Sequence, residues 1–434
     1  MSVSKATPLS TPAPEPIGLF RLSPAQKLIC VAVCLVCIGF GLYGQATLWH
    51  LDPSGISPLG KRLPYWDFTN LWAGSLMVLE GKIGLLFDVE AYRAELDLIF
   101  NVALPDQEWS YPPSILLVGL PLALLPIWAA YWLWSIATIA ALHFALRPFR
   151  LPVLVHVLVL FSPAIWSNQI FGQNGALTAA LLIAGLYNAP YRPILAGVLV
   201  GLLTIKPHLG ILLPFCLLAG CHWRAFASAV ATSAALVLLT GLAFGFDVWT
   251  HFLTETRALM TWVMEAPYPQ AYHTNAATVF ILTRSLGASL PIAYAAQVAV
   301  ALLAIAAAVA IWLPSNRLDH RSRVAFTGVL VIVATPYGYT HDTAPLYLAV
   351  AWFLMHDRKP LLVFYAAIWL FALVFPSFHQ VGIAGGVLGP IALAAYLWPR
   401  FVVPSLVSPE PAAARWPATA CAAPLPRPGD PRPS

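Results

Sequence analysis

The run Leu28–Leu48, LICVAVCLVCIGFGLYGQATL, carries no charged residue in twenty-one positions. About 20 apolar residues in a helix suffice to cross the hydrocarbon of a bilayer. The run is longer than the apolar core of a cleaved signal, about 7–15 residues, so it reads as a retained first span. The rest of the chain repeats the pattern. Of 434 residues, 59% are hydrophobic and 9% charged, against about 25% charged in soluble domains. No soluble fold hides that much apolar surface, so lipid is the solvent for most of the length. The apolar runs are continuous rather than alternating, which selects helices over barrel strands. The expectation is an all-α polytopic membrane protein, a bundle of about twelve transmembrane helices.

Outward from that first span, residues 1–26 are rich in Pro, Ser, Thr and Ala and read as a disordered cytoplasmic leader. Residues 27–402 read as one integral-membrane domain, and residues 403–434, rich in Pro and Ala, as a disordered cytoplasmic tail. Two loops are large, 49–111 and 246–289. In the first, residues 69–81 and 88–101 are expected to be helices on the membrane surface, with Trp66, Trp72 and Trp109 at the headgroup level. Between 114 and 146, Pro121 and Pro126 separate a short apolar piece from a longer one, Ile127 to Leu146. One net crossing there keeps Arg147 and Arg150 in the cytoplasm. Further spans are expected near 152–167, 174–189, 192–205, 208–220, 225–245, 290–313, 324–337, 343–356, 360–375 and 382–399. With both termini cytoplasmic, the inner ends carry twelve basic residues and the outer side seven, the sense of the positive-inside bias.

Other classes find little support. The net charge of +5 includes no basic tract dense enough for nucleic acid. Cys34 and Cys37 form a C-x-x-C, but in hydrocarbon, without a second ligand pair, they read as packing residues. There is no D-x-D, no P-loop and no H-E-x-x-H. No cofactor is firmly implied. The outer acids are chemically able to bind a divalent metal, yet no ligand spacing calls for one.

Four uncommon polar clusters fall on one face of the membrane under this topology: Asp67 with Asn70; Asn168, Gln169, Gln173 and Asn174; Lys206 with His208; and His341 with Asp342. Ionisable groups at membrane depth are costly and mark pathways or sites. Asp67, within Pro64-Tyr65-Trp66-Asp67-Phe68-Thr69-Asn70, suits a general base, because aromatic neighbours desolvate a carboxylate and raise its pKa. It equally suits a helix N-cap before the apolar run from Leu71. Gln173 and Asn174 suit either sugar hydroxyls or helix ends. Lys206, before Pro207 and His208, suits either a phosphate or a snorkelling position. His341 suits proton exchange or phosphate contact, and Asp342 suits orienting His341, binding substrate or capping the next helix.

Asp67-Phe68 with Trp72-Ala73-Gly74 and Glu80-Gly81 resembles the opening loop of glycosyltransferase family 87. Tyr111-Pro112-Pro113 with Pro121-Leu122 and Leu125-Pro126, then Gly172-Gln173-Asn174, Lys206-Pro207-His208, and Pro336-Tyr337 with His341-Asp342, are similar to that family's later motifs in order and spacing. Many members read Tyr-Asp-Leu where this chain has His341-Asp342-Thr343. The resemblance implies a GT-C-like helical bundle with an outer-face active site. It implies inverting hexose transfer, mannose above all, from a polyprenyl-phosphate-linked sugar donor to a glycan or glycolipid acceptor. Asp67 and His341 are then the expected catalytic residues. Asn70, Tyr111, Gln173, Asn174, Lys206, His208 and Asp342 are the expected substrate contacts. The rival class is a transporter or flippase of lipid-linked glycans, which Pro- and Gly-broken spans also suit.

Overall fold

The computed structural model describes residues 24–58 and 61–407. The expected leader and tail therefore lie largely outside the described residues. At their inner edges both boundaries move: helix α1 (Pro24–Leu48) starts inside the leader, and a short helix, Val403–Val407, starts inside the tail.

Among the described residues every regular element is a helix, with two isolated β-bridges. The first loop holds α2 (Trp66–Leu79) and α3 (Val89–Phe100). Next come α4 (Leu116–Ala123), α5 (Ile127–Leu146), α6 (Val153–Leu160), α7 (Pro163–Phe171), α8 (Gly175–Asn188), α9 (Pro193–Leu202), α10 (Leu213–Ala219) and α11 (Trp223–Phe244). The second loop holds α12 (Asp247–His251), a π-helical turn at Phe252–Thr256, α13 (Arg257–Glu265) and α14 (Val279–Ser285). The chain continues with α15 (Leu290–Trp312), α16 (His320–Ala334), α17 (Ala344–His356), α18 (Leu362–Val374), α19 (Leu388–Leu397) and α20, the short helix in the tail.

Among the described residues six helical segments are long and apolar enough to cross a membrane: Val31–Leu48, Ile127–Phe149, Val153–Phe171, Trp223–Phe244, Leu290–Trp312 and Leu362–Val381. The other expected spans are present as helices but shorter, because prolines and glycines break the apolar runs. The short apolar piece before Pro126, Pro113–Ala123, is helical as well. At 1.5 Å per residue it covers about half of the roughly 30 Å of hydrocarbon. It packs against α2, where a Cβ on Gly119 would meet Ser75 Oγ at 2.1 Å.

Burial sorts the helices. Nearly all of α16 from Ser322 to Ala334 and most of α8 and α17 are buried. Around them α5, α11, α15 and α18 turn Ile136, Leu242, Leu303 and Val363 outward, as lipid-facing helices do. Where helices meet closely, small residues allow it. A Cβ on Gly197 of α9 would come within 2.4 Å of Ala225 O on α11, and one on Gly201 within 2.5 Å of Thr232 Cβ.

In the first loop α2 packs into the protein, while α3 buries only Tyr92 and Leu96. Phe68, Thr69, Asn70, Leu71, Ala73, Gly74, Ser75 and Met77 of α2 are all buried. Trp109 is buried too. Gly74 leaves the space its ring fills, since a Cβ there would lie 2.4 Å from Trp109 Cζ3.

Candidate active site

Asp67 enters the site from the first turn of α2. The residue at the N-cap is Tyr65, so Asp67 does not cap the helix. Its Oδ2 instead accepts from Gln173 Nε2 at 2.8 Å. Gly172 makes that reach possible. It closes α7 at φ +66°, and its missing Cβ would sit 2.6 Å from Phe68 Cβ and 2.7 Å from Tyr65 O. The α7–α8 turn is thereby pressed onto the start of α2, and Gln173 lands on the carboxylate. Asp67 lies deep in the protein yet keeps part of its surface free. Burial pushes its carboxyl above the ordinary aspartate range. The Gln173 hydrogen bond and the charges of Arg62 and Lys206 oppose that rise, and Asp342 adds to it. Arg62 is held nearby over the Phe171 ring, at 4.5 Å from its centroid.

Lys206 follows a 3-10 turn and precedes Pro207, with φ -146° and ψ 72°. Its Nζ donates to Asp342 Oδ1 at 2.6 Å, and both side chains are buried. The other carboxylate oxygen, Oδ2, accepts from Tyr339 N at 3.1 Å and lies 3.5 Å from His341 Nε2. The His341 ring stacks on Tyr339 at 5.8 Å, and His208 meets Tyr337 edge-on at 5.5 Å. Gly175 lets the His341 backbone approach α8: a Cβ there would be 2.0 Å from His341 O.

The second loop closes the other side. Ala277 N donates to Gly338 O at 2.9 Å, fixing that loop to the turn that carries His341. Phe252, Thr256, Met260 and Met264 form one stripe and Leu253, Arg257 and Thr261 a second, at four-residue steps through the π turn and α13. All seven line a cavity of about 340 Å³. Tyr111, Gln173, Lys206, His208, Tyr337, Tyr339 and His341 line it too. Gln173 Oε1, Thr256 Oγ1, His208 Nε2 and His341 Nε2 are buried without a hydrogen-bond partner among the described residues. Buried polar atoms left so are expensive and need an explanation. A polar ligand in this cavity would supply one.

The family model for glycosyltransferase family 87 matches residues 109–336, more than half of the chain. The chain belongs to glycosyltransferase family 87. It is a membrane glycosyltransferase. No curated protein and no solved structure matches it.

In this family-87 glycosyltransferase the matched segment contains Tyr111, Gln173, Asn174, Lys206 and His208. Asp67 precedes it and His341 and Asp342 follow it, so their part in the site rests on geometry. The fold brings Tyr111, Gln173, Lys206, His208 and His341 onto one cavity and ties Asp67 to it through Gln173. Asp342 stands behind Lys206 as its counter-ion rather than on the cavity wall. Asn70 and Asn174 lie off the cavity. Asn70 Oδ1 accepts from Tyr92 OH at 2.9 Å and so fastens α3 to α2, and Asn174 is buried before α8.

Three features of this candidate site escape the sequence reading. Arg62 looks like one more outer-face base, although its place shortly before Trp66 and Asp67 is a signal. Tyr339 is hidden among aromatics. The second-loop stripes were readable in principle from their four-residue period.

Proposed function

We propose that this glycosyltransferase moves a hexose, mannose being the sugar the family resemblance favours, from a polyprenyl-phosphate donor to a hydroxyl of a glycan or glycolipid. Asp67 takes the proton of the acceptor hydroxyl. The acceptor oxygen forms a bond to the anomeric carbon, the bond from that carbon to the phosphate oxygen breaks, and its electron pair leaves with polyprenyl phosphate. Attack opposite the leaving group inverts the configuration. Lys206 and His341 contact the phosphate, and His208, Gln173 and Tyr111 contact the sugar. Lys206 has three donors, so pairing with Asp342 leaves others free. Phe252, Leu253, Met260 and Met264 give the prenyl chain an apolar wall. The short helices complete about twelve crossings, in a cell membrane, with cytoplasmic termini and the site on the outer face.

One observation carries the reading. The residue that hydrogen-bonds Asp67, Gln173, lines the same cavity as Lys206 and His341. The proposed base thus adjoins, through Gln173, the cavity in which the phosphate would sit, and part of that cavity's lining is unpartnered polar atoms. A carboxylate raised by burial is also a stronger base. The test is purified protein given either a polyprenyl-phosphate sugar or the corresponding nucleotide sugar. The account expects a glycoside from the lipid donor alone, with inverted anomeric configuration by NMR. A product from the nucleotide sugar, or retention, overturns it.

A further inference from the structure

Two cations line the cavity, Lys206 and Arg257, and only one of them has an ion-pair partner among the described residues. Lys206 is neutralised by Asp342 at 2.6 Å. Arg62 stands near Asp67 as a charge of opposite sign. Arg257 lines the same cavity from the second loop, is exposed, and has no carboxylate within ion-pair distance among the described residues. Its neighbour Thr256 is buried with an unpartnered Oγ1.

We propose that Arg257 takes the phosphate of the lipid-linked donor and gives the site its net positive charge, with Lys206 as a second, pinned contact. This rests on the lipid-phosphate reading above. A guanidinium offers two parallel N–H groups to two phosphate oxygens, which an ammonium does not. The chemistry of transfer sharpens the need for it. The donor is a phosphodiester with one negative charge, and the leaving polyprenyl phosphate carries up to two. A cation with no protein counter-ion gains most where that extra charge develops, so Arg257 acts on turnover as well as on binding. Its place at an exposed position of the wall also lets it meet the headgroup early.

The experiment uses the full chain in detergent, with decaprenyl phosphate and decaprenol as probes, and reads binding by tryptophan fluorescence. Wild type should bind the phosphate more tightly than the alcohol, less so as salt rises. Arg257→Gln should lose about tenfold in affinity for the phosphate and none for the alcohol, with a flattened salt dependence. Arg257→Lys should keep the salt dependence and recover only part of the affinity, since it restores the charge without the two parallel donors. In transfer assays Arg257→Gln should lower kcat as well as raise KM. Wild-type affinity and salt dependence in Arg257→Gln would overturn the assignment while leaving the donor reading intact. Equal affinity of the wild type for phosphate and alcohol would overturn the donor reading, and the assignment with it.

Discussion

Replacing Lys206 by Met separates a structural ion pair from a residue needed for chemistry. The Lys206–Asp342 pair is 2.6 Å long, with side chains only 10% and 1% exposed. Removing the ammonium leaves a carboxylate buried with only the Tyr339 N–H and a His341 contact at 3.5 Å. Breaking such a pair from one side costs about 3–5 kcal/mol, because the surviving charge is uncompensated. Asp342→Asn strands the lysine and should cost a similar amount. Combining the two should not add. The amide introduced by Asp342→Asn keeps an oxygen for the Tyr339 N–H, and no buried charge remains. The coupling should be about 2–3 kcal/mol, measured as a double-mutant cycle on reversible unfolding in detergent. Transfer activity should follow a different pattern. The double variant regains stability but stays inactive, since the phosphate contact is gone. Strict additivity of the two stabilities would refute the pairing, and recovery of activity in the double variant would refute the role of Lys206.

Three further outcomes follow from the same geometry. Activity needs Asp67 ionised and its carboxyl is raised by burial, so kcat/KM should fall on acidification through a pKa above the ordinary 3.8; an acid limb at or below that value contradicts the placement. Gly172→Ala puts a Cβ 2.7 Å from Tyr65 O at φ +66°, and should cost about 1–3 kcal/mol of stability and most of the transfer activity by displacing Asp67; a fully active, equally stable variant contradicts that account. Gly175→Ala drives a Cβ to 2.0 Å from His341 O, and thermal unfolding in detergent should show a loss of similar size, with unchanged stability counting against the close approach.

The parts of the site that were legible in the sequence are those where polarity interrupts an apolar run. Asp67, Gln173, Lys206, His208 and His341 stand out because membrane depth makes such residues rare. Burial alone does not tell which way each side chain turns. Asn70, three residues beyond Asp67, is spent on Tyr92, and Asp342 on a lysine 136 residues away. Tryptophans are a second example. Trp109 is spent on the space beside Gly74, which is decided by how α2 meets the loop. The second-loop wall was missed for another reason. Phe252, Thr256, Met260 and Met264 are unremarkable residues, and only their common period marks a face. The count of about twelve spans came from apolar length, whereas proline breaks leave six helices of full length among the described residues.

The central claim is that the first-loop carboxylate activates the acceptor. Asp67→Asn is nearly isosteric and can still meet Gln173, so the fold should survive. The decisive measurement is single-turnover transfer of radiolabelled sugar from a polyprenyl-phosphate donor by wild type and Asp67→Asn in the same membranes. Loss of a general base should slow transfer by about a hundredfold or more, with polyprenyl phosphate still bound. Transfer at the wild-type rate by Asp67→Asn would contradict the account.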